Sequence, residues 1–332
     1  MRYRQGDTKY AYAVGKIREL ETRLVTKESL ERMLEAEDAG ESLKLLAEVE
    51  DYKQDVQDLK NIQDFEKMLD KQLDRLYKLV RALCLEPQLS QLCSFKYDIY
   101  NLKILIRNTG LALSGWGAID KDALAEAVAK KQYKDLPQEF AAVVKEAVSL
   151  FETNTDAQRL NVFLDRSLFK LIFTVLDKNA HSFLYTYFQH YADLSNIRIF
   201  LRAQKQDLGV EFLKNALIEE GLIGAREFLR LQDHPFREFI KQLQRTNYWG
   251  KVGEALEDYE KTGLLDKFEK AADDYLIEYI KQAKYLAFGF EPVAGYTLGK
   301  ENEVKLLRAV LVGKLYNKPE DSIRQALRHS YV

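Results

Sequence analysis

Sixteen glycines and five prolines are few for 332 residues. At average usage about 40 would be expected. So few turn formers count against an all-β chain with many reversals and in favour of long helices. Cysteine is nearly missing: Cys84 and Cys93 can support neither a disulfide framework nor a cysteine-based metal site, and a reducing, cytoplasmic compartment is expected. The four histidines, His181, His190, His234 and His329, include no pair at i, i+4 and no zinc-protease motif. Excess charge of one sign is missing too, since 50 basic residues face 52 acidic ones, which removes the simplest case for nucleic-acid binding. No apolar run approaches the length of a membrane span, and the segment after Met1 to Arg4 is too polar for a targeting signal.

What the sequence does contain is helical periodicity almost throughout. Leu20, Leu24, Leu30, Leu34 and Leu43 to Leu46 recur at helical spacing among charged residues. Thr26 and Ser29 are candidate N-caps, because a hydroxyl can accept from the free N–H groups of a first turn. Asp38 to Glu41 reads as a break. No apolar/polar alternation is long enough to require a strand, so the chain is predicted to be all-α.

Internal similarity carries more information than any motif. Leu69, Leu73, Leu76 and Val80, with Asp70, recur as Leu164, Leu168, Leu171 and Val175, with Asp165. They recur again as Ala272, Leu276, Tyr279 and Ala283, with Asp273. About 30 residues on, a second element repeats. Its first two forms are Asp98, Asn101, Lys103 and Arg107, and Asp193, Asn196, Arg198 and Arg202. The nearest third form is Glu301, Val304, Lys305 and Arg308, with the acid and the last arginine each shifted by one residue. Asp70 to Asp165 and Lys103 to Arg198 span the same distance along the chain, and a shared offset between two elements does not follow from helical periodicity alone. Three related helical units are therefore expected, over residues 1–115, 116–210 and 211–332, with approximate three-fold symmetry.

Reactive constellations are hard to find. The stretch from Ala294 to Glu301 imitates a phosphate-binding loop but lacks its first glycine and its hydroxyl, and Gly115 to Gly117 lacks the third glycine of a dinucleotide fingerprint. Both are read as loops. No catalytic residue, metal ligand or cofactor is assigned, and the chain is expected not to be an enzyme. Asp98 and Asp193, each ahead of a helical pattern, are read as N-caps. Cys84, near the end of an apolar helix, is read as a buried small hydrophobe. The many Tyr and Phe residues near segment ends, among them Tyr10, Tyr12, Tyr100, Tyr187, Tyr285 and Phe288, suit core edges and a broad contact surface.

The run from Phe288 to Arg308, with Phe290, Glu291, Pro292, Gly295, Tyr296, Gly299, Lys300, Glu301 and Glu303, resembles the C subunit of the A/V-type rotary ATPases, whose eukaryotic vacuolar counterpart is the d subunit. Gly313, Lys314, Ile323, Arg324, Tyr331 and Val332 add to the likeness, as do Tyr10 to Arg18 and the two stretches Asp98 to Arg107 and Asp193 to Arg202. The resemblance implies three similar helical units in a funnel around a pseudo-three-fold axis. It also implies a non-catalytic central-stalk component of an A-type ATP synthase or V-type ATPase. Such a component is a rotor socket, peripheral on the cytoplasmic face of the membrane, that couples central shaft subunits of the D and F types to the membrane proteolipid ring. It would serve ATP-driven proton or sodium ion transport, or ion-driven ATP synthesis. The alternative is a helical scaffold unrelated to rotary motors. Lys103, Arg107, Arg198, Arg202, Lys305 and Arg308 recur at matching places and are the candidate interface residues, holding carboxylates of partners or of neighbouring units; the alternative, which weighs more because exposed pairs are common and weak, is that they are solvated faces or internal ion pairs.

Overall fold

The computed structural model describes residues 7–176 and 180–332, and among these there is no strand. The chain divides into two compact units, residues 1–86 with 270–332, and residues 87–269.

The first unit begins with α1 (Ala11–Glu21), α2 (Lys27–Glu35), α3 (Ala39–Leu46), α4 (Glu50–Gln57) and α5 (Phe65–Leu83). Thr26 caps α2 as expected, its hydroxyl accepting the Ser29 N–H at 3.1 Å, whereas Ser29 lies inside the helix. The predicted break at Asp38 to Glu41 is narrower than expected. Asp38 is the N-cap of α3, taking the Glu41 N–H at 2.8 Å, so Ala39 to Glu41 already form its first turn. In α5, Phe65, Met68, Leu69, Leu73, Leu76, Tyr77 and Val80 fill one buried stripe, the arrangement that stabilises a helix by packing rather than by propensity.

The second unit continues with α6 (Pro87–Leu92), α7 (Phe95–Arg107), α8 (Lys121–Lys130), α9 (Gln138–Asn154), α10 (Ala157–Val175), α11 (Ser182–Lys205), α12 (Val210–Ala216), α13 (Ala225–Leu231), α14 (Phe236–Leu243) and α15 (Trp249–Thr262). Asp156 caps α10 through the N–H groups of Gln158 and Arg159. Phe200 of α11 stacks on Phe239 of α14 with ring centroids 4.4 Å apart, and Phe228 and Phe236 extend that aromatic core. His190 is buried edge-on against Tyr248. Burial pushes its imidazole down to about 4, which keeps it neutral at physiological pH.

The unit boundary between Glu269 and Lys270 falls within α16 (Asp266–Ile280). The first unit then takes α17 (Glu291–Leu315) and α18 (Glu320–Ala326). Here one expectation is overturned. The stretch from Ala294 to Glu301, read as a loop, lies in the first half of α17 and is buried on nearly all sides. Its glycines serve close packing: a Cβ on Gly299 would collide with the ring of Tyr331. Gly115 to Gly117, by contrast, is a loop as expected. Cys93 is buried, but Cys84 is only half-buried; its thiol donates to the Glu86 carbonyl at 3.1 Å and lies 3.5 Å from the Tyr10 hydroxyl. The aromatic residues near segment ends divide: Tyr10 and Tyr187 are buried, whereas Tyr12, Tyr100, Tyr285 and Phe288 are exposed.

Candidate functional site

The residues that repeat along the sequence are brought together into two kinds of contact, a clamp and an ion pair. The clamp is built on α7 and again on α11. Asn101 holds the backbone of Ser114 from both sides, donating to its carbonyl at 2.9 Å and accepting its N–H at 2.8 Å. Asn196 does the same to Ile218, at 2.8 Å and 2.8 Å. One turn earlier, Asp98 accepts the N–H groups of Ala118 and Ile119 at 2.9 and 3.1 Å. Asp193 accepts those of Leu222 and Ile223 at 3.1 and 2.9 Å, and the hydroxyl of Tyr248 as well.

In each case the asparagine-held residue stands four before the first amide taken by the aspartate, and a glycine precedes that amide. A Cβ on Gly117 or Gly221 would collide with the carboxylate. All four clamping side chains are 0% exposed. The expectation that Asp98 and Asp193 cap their own helices is therefore wrong. Asp98 lies in the first turn of α7 and Asp193 in the middle of α11, and both bond the loop that follows.

No cation among the described residues offsets these carboxylates. Burial outweighs the N–H donors and pushes Asp98 up to about 7 and Asp193 up to about 6. The native state thus holds their protons more tightly than an unfolded chain, whose aspartates titrate near ~3.9. The stability conferred by protonation is complete below about pH 4 and is lost as pH rises to about 7. Carbon-13 NMR of the side-chain carboxyls is expected to show Asp98 titrating near 7 and Asp193 near 6; ordinary midpoints near ~4 would refute this account of their burial.

The third repeat departs from the pattern in an informative way. Asn302 of α17 donates to the His329 carbonyl at 2.8 Å. The place one turn earlier, where an aspartate would stand, is Gly299 against the Tyr331 ring. The stretch Leu327 to Val332 takes the place of the clamped loop. Arg328 pairs with Asp273 at 2.9 Å, His329 donates its N–H to Asp274 at 2.6 Å, and the Tyr331 hydroxyl donates to Glu21 at 2.9 Å. Asn302, not Val304, is the counterpart of Asn101 and Asn196. Arg308 then stands where Arg107 and Arg202 do, and no shift of the arginine is needed.

The second kind of contact involves the candidate basic residues. Lys103 pairs with Asp165 at 2.6 Å, Arg202 with Glu269 at 2.6 Å, and Arg308 with Glu66 at 2.9 Å and Asp70 at 3.9 Å. Each base lies on the second repeated element, and each acid on the first element of the next copy, the third copy turning back to the first. The register is shared as well. Relative to Lys103 and Asp165, the pairs at Arg202 and Arg308 sit one turn later on the basic helix and one turn earlier on the acidic helix, as one antiparallel arrangement requires. At that place between the first two copies stand Arg107 and Asn161. Arg107 is exposed and Arg198 half-buried, and neither forms an ion pair among the described residues. Lys305 is exposed on α17.

A buried ionic cluster within α17 was not anticipated. Lys300 and Glu303, 2% and 5% exposed, pair at 2.6 Å. Glu303 also accepts the Tyr52 hydroxyl at 2.6 Å and the Val25 N–H at 2.5 Å, while the Lys300 ammonium lies 4.5 Å from the Tyr52 ring centroid. Nearby on the same helix, Glu301 accepts the Tyr77 hydroxyl. Burial and the neighbouring Glu303 carboxylate drive the Tyr52 phenol well above its usual range. This cluster ties α17 to α4, α5 and the turn ahead of α2.

Fold and site define an all-helical protein whose repeated polar side chains hold its own loops and helices in place. The profile of the ATP synthase (C/AC39) subunit family matches residues 13–326, and the chain belongs to that family. Curated relatives include the C subunit of the A-type ATP synthase of Methanocaldococcus jannaschii, 28% identical, with 79% of this chain and 71% of the relative covered. The C subunit of the A-type ATP synthase of Methanothermobacter thermautotrophicus is 27% identical, over 92% of this chain and 84% of its own. The C subunit of the V-type sodium ATPase of Enterococcus hirae is 24% identical, over 80% and 83%. Among the described residues no helix is long and apolar enough to cross a membrane.

Proposed function

We infer that the chain is a non-catalytic component of an A/V-type rotary ATPase, peripheral on the cytoplasmic face of the membrane, that couples the central shaft to the proteolipid ring. The observation that carries this reading is the family match along nearly the whole chain. The repeated clamps and ion pairs support it, because a part that transmits torque must not yield, and rigid loops on packed helices meet that demand. The three repeats are read as similar helical units, a reading supported by ion pairs that join the basic element of one copy to the acidic element of the next in one register.

The exposed residues supply the contact surface. Tyr12, Tyr285 and Tyr316 are 80%, 85% and 71% exposed, and such tyrosines are common anchors at protein interfaces. Size-exclusion chromatography of the purified chain, mixed separately with D- and F-type shaft subunits and with detergent-solubilised ring, tests the proposal. Co-elution with both is expected, and failure to bind either would refute it.

A further inference from the structure

We propose that Arg107 receives a carboxylate from a neighbouring protein of the complex, at the place where the series of ion pairs between copies lacks its internal acid. This rests on the reading that the chain is gripped by other subunits. In the two matching places the arginine meets a glutamate of its own chain, Arg202 with Glu269 and Arg308 with Glu66. Between the first and second copies the acid is replaced by Asn161. The neighbouring pair, Lys103 with Asp165, keeps the register one turn away, so the helices are in position and only the acid is missing.

Both residues left at that place carry unused bonding capacity. Arg107 is exposed at the end of α7 and forms no hydrogen bond or ion pair among the described residues. The Asn161 side-chain oxygen is buried with no donor. The chemistry of the occupant is read from the matching places: a glutamate or aspartate carboxylate, which a guanidinium fork can take with two parallel hydrogen bonds. Lys103 and Arg202 are already occupied within the chain, whereas Arg107 is available to another protein.

The test uses the full chain and three variants, Arg107→Ala, Asn161→Glu and, as control, Arg202→Ala. Asn161→Glu restores the internal acid and should compete for the Arg107 guanidinium, and a thermal melt checks that the variant is folded. Affinity for the shaft subunits and for the solubilised ring is measured separately. Arg107→Ala and Asn161→Glu should each weaken binding to the same one of these by about two- to fivefold, the size expected when one ion pair at an interface rim is lost. Arg202→Ala should bind as the unaltered chain does. The inference is overturned if Arg107→Ala or Asn161→Glu binds both partners with unchanged affinity, or if Arg202→Ala is weakened equally. If the unaltered chain binds neither partner, the functional reading fails and the inference with it.

Discussion

Replacing Glu303 by alanine is expected to lower the free energy of unfolding by about 3–5 kcal/mol, the cost of leaving a buried charge without its partner. Lys300 is the charge in question. It is almost fully buried beside Glu303, and its next acid, Asp51, stands at 3.5 Å. The substitution also strips the Tyr52 hydroxyl and the Val25 N–H of their acceptor, which places the effect at the upper end of that range. Denaturant unfolding measures the effect. Joint replacement by Lys300→Met and Glu303→Leu should recover much of the loss, because an apolar pair of similar volume avoids desolvating two charges. A small effect for Glu303→Ala alone would show that the cluster is hydrated and not a structural core.

The second large effect is expected at Asn196. Its amide is the sole described partner of both polar groups of the Ile218 peptide, and the site is fully buried. Asn196→Ala leaves an N–H and a carbonyl unpaired, and a loss of about 2–4 kcal/mol follows from two such groups. Asn196→Asp keeps one acceptor and loses both donors, so it should also be destabilising. Hydrogen exchange gives a local readout. The amides of Ile218, Leu222 and Ile223 should lose protection in Asn196→Ala before the rest of α11 does, because the clamp holds that loop and not the helix. Uniform loss of protection across α11 would show that the residue serves the helix instead.

The parts of the fold legible in the sequence are those fixed by local periodicity. The apolar stripes of α5 and α10 and the Thr26 cap depend on residues a turn apart, and they were readable for that reason. The clamps were not. Asn101 meets a residue 13 positions on and Asn196 one 22 positions on, so no fixed spacing links donor to acceptor. An aspartate ahead of a helical pattern looks like a cap when its true partners lie in a distant loop. The clue available was the repetition itself. An aspartate and an asparagine three apart, found twice in apolar surroundings, are more than two caps would require.

The first half of α17 misled for a different reason. Gly299-Lys300 imitates the end of a phosphate loop, whereas Gly295 and Gly299 have the four-residue spacing of one helix face, and burial against Tyr331 goes with the second. Lys300 and Glu303 carried a weak signal, an i, i+3 charge pair in a helix with little exposed face. The candidate basic residues were found by their recurrence, but their partners were not. Glu66, Glu269 and Asp165 stand on helices whose sequence gives no sign of which neighbour they meet.

Rotary coupling is tested most directly by reconstituting the ATPase in vesicles with and without this chain and recording ATP hydrolysis together with ion uptake. With the chain present, hydrolysis should drive uptake. With the chain omitted, the catalytic head should still hydrolyse ATP while uptake ceases, and adding the purified chain should restore it. Ion uptake of equal rate in its absence would contradict the account.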